Sequence, residues 1–119
     1  MRYFKESDFF CPCGCGLNFD YMDEDVIRDL DRARGYAETP FYITSSIRCK
    51  AYNAKLNGAS DTSSHLEGVA VDIACKSSYR RFKMVVALLK AGFSRIGIGR
   101  DFIHADQDPN KPKELIWRY

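Results

Sequence analysis

The sequence predicts an α+β domain, a mainly antiparallel sheet with flanking helices, and three observations carry that prediction. Two stretches, from residue 23 to 34 and from residue 77 to 92, set apolar residues at helical spacing between capping signals. Short β-branched or alternating runs lie at 41–44, 69–73, 95–99 and 102–106. Tight polar turns, rather than long helical crossovers, join the last of these runs. At 119 residues and 13.6 kDa the chain is expected to form one domain over residues 1–119, burying roughly two-thirds of its unfolded surface.

Residues 1–20 place Cys11, Cys13 and Cys15 among glycines and Pro12, so this N-terminal arm reads as a loop or knuckle. The every-second spacing is not the Cys-x-x-Cys of a zinc knuckle, and Cys49 would have to come near to complete a site. Cys11, Cys13, Cys15 and Cys49 are therefore candidates for a second, structural metal that fastens the arm to the core; free thiols or a disulfide formed in handling are the alternative.

Asp23 is suited to cap a first helix running to Arg34, with Glu24 and Asp25 in its first turn and Val26, Ile27, Leu30 and Ala33 on its buried stripe. Gly35 is expected to stop it. After Pro40, Phe41 to Thr44 reads as a strand, and Cys49 to Leu56 as a short helix ended by Asn57-Gly58. The second long helix starts at Ser77 or Ser78, stops at Gly92, and is expected to bury Phe82, Val85, Val86 and Leu89. Arg95–Gly99 is expected to form a strand that turns through Arg100-Asp101 into the strand holding His104; Leu115 to Trp117 is expected to add an edge strand.

The chemistry concentrates between Gly58 and Ala74. Small polar residues lead to His65, Gly68 turns the chain, and Val69-Ala70-Val71-Asp72-Ile73 puts a carboxylate into an apolar strand, on the face opposite the valines. Burying that carboxylate unpaired would cost several kcal/mol, so a cation or metal is expected beside it. Downstream, Phe102, His104 and Asp106 share one strand face. Two imidazoles and one carboxylate, His65, Asp72 and His104, suit zinc, which keeps a fourth position open at catalytic sites; calcium would want more oxygens.

Ser63-Ser64-His65-Leu66-Glu67-Gly68-Val69-Ala70-Val71-Asp72 resembles the Ser-x-His-x-x-Gly-x-Ala-x-Asp signature of the zinc D-alanyl-D-alanine carboxypeptidase and L-alanyl-D-glutamate endolysin family, peptidase family M15. That family shares its fold with the hedgehog signalling domain. Phe-Ile-His104-Ala-Asp resembles the segment holding its third zinc ligand, and Ile43-Thr44-Ser45-Ser46-Ile47-Arg48 its Thr-Ser-Gly-Tyr-Arg block. The likeness runs in order over about residues 40 to 106. It implies a zinc peptidase acting on peptidoglycan stems, with one catalytic zinc on His65, Asp72 and His104. It also implies that Arg48 and Ser63 bind the substrate and that Asp101, three residues before the last ligand, is the general base. Asp106 is the alternative base, or a hydrogen-bond partner of a ligand histidine. Ser46 and Ile47 depart from the family's glycine and tyrosine.

Eighteen basic and sixteen acidic side chains leave a net charge of +2, with no broad basic field for nucleic acid. No run of about 18 apolar residues offers a membrane span, and the N-terminus lacks the apolar core of a signal peptide. The expectation is a monomeric protein, cytoplasmic until something else releases it to the cell wall, as for a phage or prophage lysis enzyme. An odd count of five cysteines fits a reducing compartment.

Overall fold

The computed structural model describes all 119 residues. Five strands form one sheet: β1 (Ile43–Ser45), β2 (Ala70–Ala74), β3 (Arg95–Ile98), β4 (Phe102–Asp106) and β5 (Leu115–Arg118). Their order is β1-β2-β4-β3-β5. The β1–β2, β2–β4 and β3–β4 pairs are antiparallel and only the β3–β5 pair is parallel. With the helices α1 (Glu24–Ala37), α2 (Lys50–Ala54) and α3 (Ser78–Ala91) this is the expected α+β class.

The sheet has two unlike faces because its strands alternate. Val71, Ile73, Ile96, Ile103 and Ala105 join Val26, Ile27, Leu30 and Ala33 of α1 and Met84, Ala87, Leu88 and Ala91 of α3 in one core of 22 buried residues. The register sets Asp72 opposite His104, His104 opposite Gly97 and Gly97 opposite Trp117, a row crossing four strands on the other face. The apolar face holds the sheet on the helices and leaves the polar row to carry chemistry.

α1 is capped as its sequence requires: the Asp23 carboxylate accepts from the backbone N–H of Asp25 and Val26. It does not stop at Gly35. The helix runs on to Ala37 and ends at Glu38 in a left-handed conformation. Gly35 is used for clearance instead, since a Cβ there would lie 3.2 Å from the Tyr3 ring. α2 is shorter than expected, with Cys49 as its N-cap and not its first turn.

The expected stripe of α3 is a correction. Phe82, Val86 and Leu89 are exposed, Phe82 by 71%, and Val85 is half-buried; Met84, Ala87, Leu88 and Ala91 face inward. Both sets have helical spacing, and the inward set carries two alanines that let α3 lie close to α1 with its own Ala33 and Ala37. No helix is long and apolar enough to cross a membrane.

The N-terminal arm is more ordered than a plain loop. It has 3-10 turns at Glu6–Asp8 and Phe19–Tyr21 and an antiparallel bridge between Phe10 and Asn18. Phe9 is fully buried between Phe4 and Phe19, each with its ring centroid 5.8 Å away.

Candidate metal centre

His65 reaches the polar face from a 3-10 turn, Ser64–Glu67, that enters β2. Ser63 caps this turn, its hydroxyl accepting from the N–H of His65 at 3.3 Å, and Gly68 closes it with φ +69°. Only glycine fits at that closure: a Cβ on residue 68 would stand 2.2 Å from the carbonyl oxygen of Tyr21. The two residues that flank His65 in the sequence signature thus set the direction of its ring.

The two imidazoles are held from behind. His65 donates from Nδ1 to the carbonyl of Ser46 at 2.7 Å, which leaves Nε2 facing Asp72 Oδ1 at 3.3 Å. His104 donates from Nε2 to Asp106 Oδ2 at 2.6 Å, which leaves Nδ1 facing the same Asp72 oxygen at 3.1 Å. With both tautomers fixed in this way, two nitrogen lone pairs and a carboxylate oxygen point at one place. Such an arrangement is repulsive unless a proton or a metal ion sits in it. The donor set is the nitrogen and oxygen set that suits zinc, and its atoms lie within 4.8 Å of one another.

The electrostatics agree. Burial alone would push the Asp72 carboxyl up, but with no ion between them a ring proton of His104 or His65 facing it holds it well below the usual carboxylate range, by hydrogen bond and charge. Burial opposes charging of His104, yet Asp106 and Asp72 outweigh it and raise its affinity for a proton. The site is built for positive charge.

Asp106 is a fully employed residue. Its Oδ1 accepts from Arg95 Nε at 2.7 Å and from the N–H of Asp108 at 3.0 Å, while Oδ2 takes the His104 proton, and the residue is 1% exposed. It acts on the centre through His104. Asp101 lies in the turn before β4, exposed, with its backbone carbonyl bonded to the N–H of Cys75 at 2.8 Å. Its carboxylate has no hydrogen bond or ion pair, and it is not drawn into the cluster of His65, Asp72 and His104. Glu67 is exposed.

Arg48 joins the centre to a neighbouring cleft. It binds Ser45 Oγ at 2.9 Å, Asn53 Oδ1 at 3.2 Å and Asp72 Oδ2 at 3.3 Å, and is nearly buried. The ion pair with Asp72 serves one carboxylate oxygen and leaves the other to the histidines. The cleft is about 830 Å³ and carries both signs of charge: Arg48, Lys50 and Lys111 line it with Asp61, Glu67 and Asp108, Lys111 pairs with Asp108 at 3.6 Å, and Ser63 lies on the same wall. Behind Ser63, the Ser64 hydroxyl donates to the buried Asp108 at 2.7 Å, and Lys111 reaches Ser64 at 3.0 Å.

A family model described as Peptidase M15 matches residues 2–106. The chain belongs to the peptidase M15 family. A search of curated proteins found no match. In this M15 peptidase the matched span contains His65, Asp72, His104, Arg48 and Ser63, and ends at Asp106.

β5 lies beyond that span and supplies residues that the motifs did not reveal. Trp117 stands with its ring centroid 5.6 Å from that of His104, and Arg95 stacks on it at 5.0 Å. Tyr119 packs beside Trp117 and Phe102. Desolvation raises the Tyr119 phenol and the negative Asp72 and Asp106 add to the effect, which puts the phenol in the field of the centre. Gly97 makes room for the pair, because a Cβ there would come within 2.9 Å of both rings. A glycine in β3 matched by Trp117 in β5 and Tyr119 just after it, two aromatics of one parity, is the only sequence signal of this contact.

Proposed function

We propose that this M15 peptidase is a zinc-dependent hydrolase of peptidoglycan peptide stems, of D,D-carboxypeptidase or L-alanyl-D-glutamate endopeptidase type, acting as a phage or prophage lysis enzyme. The observation that carries the reading is the convergence of His65 Nε2, Asp72 Oδ1 and His104 Nδ1, with Ser46 and Asp106 fixing the two rings from behind. Those three side chains would hold the ion. When bound, zinc supplies Lewis acidity for the scissile carbonyl and makes water a nucleophile at neutral pH.

The chain's own residues do the rest. Lys50, at the cleft's exposed edge, meets a carboxylate of a peptide stem, and the planar fork of Arg48 beside Asp72 orients the group next to the bond to be cut. Ser63 adds a hydroxyl on the same wall. Asp101 takes the proton from the attacking water and returns it to the leaving amine; it is the one aspartate next to β4 whose carboxylate has no partner.

Incubation of the protein with murein, with and without a chelator, tests the reading. Zinc-dependent appearance of new amino groups or shortened stems is expected. Asp101→Asn is expected to keep zinc and lose 10²-fold or more in rate.

The absence of a second carboxylate in the cluster, with both oxygens of Asp106 occupied, favours one alternative. In it the chain is a zinc-containing binding module of the hedgehog kind or a virion component. A protein that holds zinc, binds murein and releases no amino groups under any metal condition would establish that alternative.

A further inference from the structure

Four sulfurs outside the histidine centre also converge. Cys11, Cys13, Cys15 and Cys49 have their Sγ atoms within 4.8 Å of one another, with Cys13 at 3.5 Å from both Cys11 and Cys49. In an extended Cys-x-Cys-x-Cys run the neighbouring sulfurs would stand roughly 6.6 Å apart along the strand. Here Gly14 and Gly16 both take left-handed backbone, φ +80° and +94°, and coil the run on itself. The loop is shut behind them by the bond from Cys11 N–H to the carbonyl of Leu17 at 2.9 Å and by the Phe10–Asn18 bridge. The fourth sulfur comes from across the chain, on the N-cap residue of α2.

Two further contacts treat these sulfurs as acceptors. The N–H of Cys49 points to Cys11 Sγ at 3.4 Å, and the N–H of Tyr52 points to Cys49 Sγ at 3.3 Å. Backbone donors aimed at sulfur stabilise thiolates, and thiolates brought together need a cation. A tetrahedral zinc with Zn–S bonds of about 2.3 Å requires sulfur separations of about 3.8 Å, which the observed spacing brackets. A disulfide would employ only two of the four.

We infer that Cys11, Cys13, Cys15 and Cys49 form a second metal centre, a closed four-thiolate site of the structural zinc class that clamps the N-terminal arm onto the segment carrying Arg48. Arg48 immediately precedes Cys49, and its N–H bonds the carbonyl of His65 at 3.1 Å. Arg48 and Cys49 both line the cleft, so the clamp fixes part of its wall. The centre requires no assumption about the reaction.

Cobalt(II) loading of the fully reduced, full-length chain tests the inference. Wild type is expected to bind two ions per chain and to show an intense near-ultraviolet sulfur-to-cobalt band. His65→Ala is expected to lose one ion and keep the band; Cys13→Ser and Cys15→Ser, both at exposed positions, are expected to lose the other ion and the band. A single ion with the band in wild type would refute the histidine centre and leave this one standing. Wild type without the band, with all four thiols reacting at free-cysteine rates in the presence of zinc, overturns the inference. A band that survives in both serine variants overturns it as well.

Discussion

His104 has only one ring nitrogen to offer, because Asp106 takes the proton of the other at 2.6 Å. An amide in its place is uncharged and offers one acceptor oxygen to the three donors of Arg95, Asp108 and His104, which loosens the ring and lowers its basicity. Asp106→Asn is expected to weaken zinc binding 10- to 100-fold, measured by competition with a chelator of known affinity; unchanged affinity would falsify the role given to Asp106. Strand parity in the sequence put Phe102, His104 and Asp106 on one face, and so made Asp106 a candidate. It could not say which nitrogen of His104 turns inward, and that choice separates a base from a ring anchor. Ser46 was hidden for another reason: it serves His65 through its carbonyl, which every residue has.

Asp29 makes the same point away from the centre. Burial opposes its ionisation, but Gln107 at 2.8 Å with Arg28 and Arg32 holds its carboxyl below the usual range. A depressed folded-state value gives stability that is complete above the unfolded value of about 3.9 and is lost as pH falls through the folded one. Asp29→Asn is therefore expected to cost about 1.5 kcal/mol at pH 7, mostly through the Gln107 bond, since both arginines are solvated. Urea midpoints at pH 7 and pH 3 check this, with the gap between variant and wild type closing at the lower pH.

At the scale of elements, the sequence placed every strand and both long helices but chose the wrong side of α3. Phe82, Val86 and Leu89 outrank Met84, Ala87 and Leu88 in bulk, so the apolar pattern alone favours the exposed stripe. The decision is tertiary, made by the small residues α1 needs opposite it. Met84→Ala is expected to cost 2–5 kcal/mol in urea unfolding and Phe82→Ala under about 0.5. The reverse order would restore the stripe read from the sequence. β5 was legible as an edge strand, but its packing on Gly97 was not, because a glycine in a strand does not announce what fills the space. Gly97→Ala pushes a methyl into Trp117 and Tyr119, and is expected to destabilise the fold by roughly 1–3 kcal/mol in the same measurement.

At the scale of the whole molecule, the three ligands of the histidine centre come from a capped turn at residue 65, from β2 at residue 72 and from β4 at residue 104. The unfolded chain has no such convergence, so zinc binds the folded state and adds to its stability by mass action. Free zinc at 100 times the dissociation constant adds about 2.7 kcal/mol. For a chain of 119 residues, with an unfolding entropy of about 2.1 cal/mol/K per residue, this raises the melting temperature by about 10 °C. His104→Ala removes a ligand and leaves the apolar face of β4, Ile103 and Ala105, untouched. The variant is therefore expected to fold, and its zinc-induced shift in scanning calorimetry is expected to fall about 10 °C short of the wild-type shift. Equal shifts in the two proteins would mean that zinc does not act at this centre. The sheet's division into a packed face and a polar face is what makes the comparison clean: the centre can be dismantled one ligand at a time while the core that positions it stays intact.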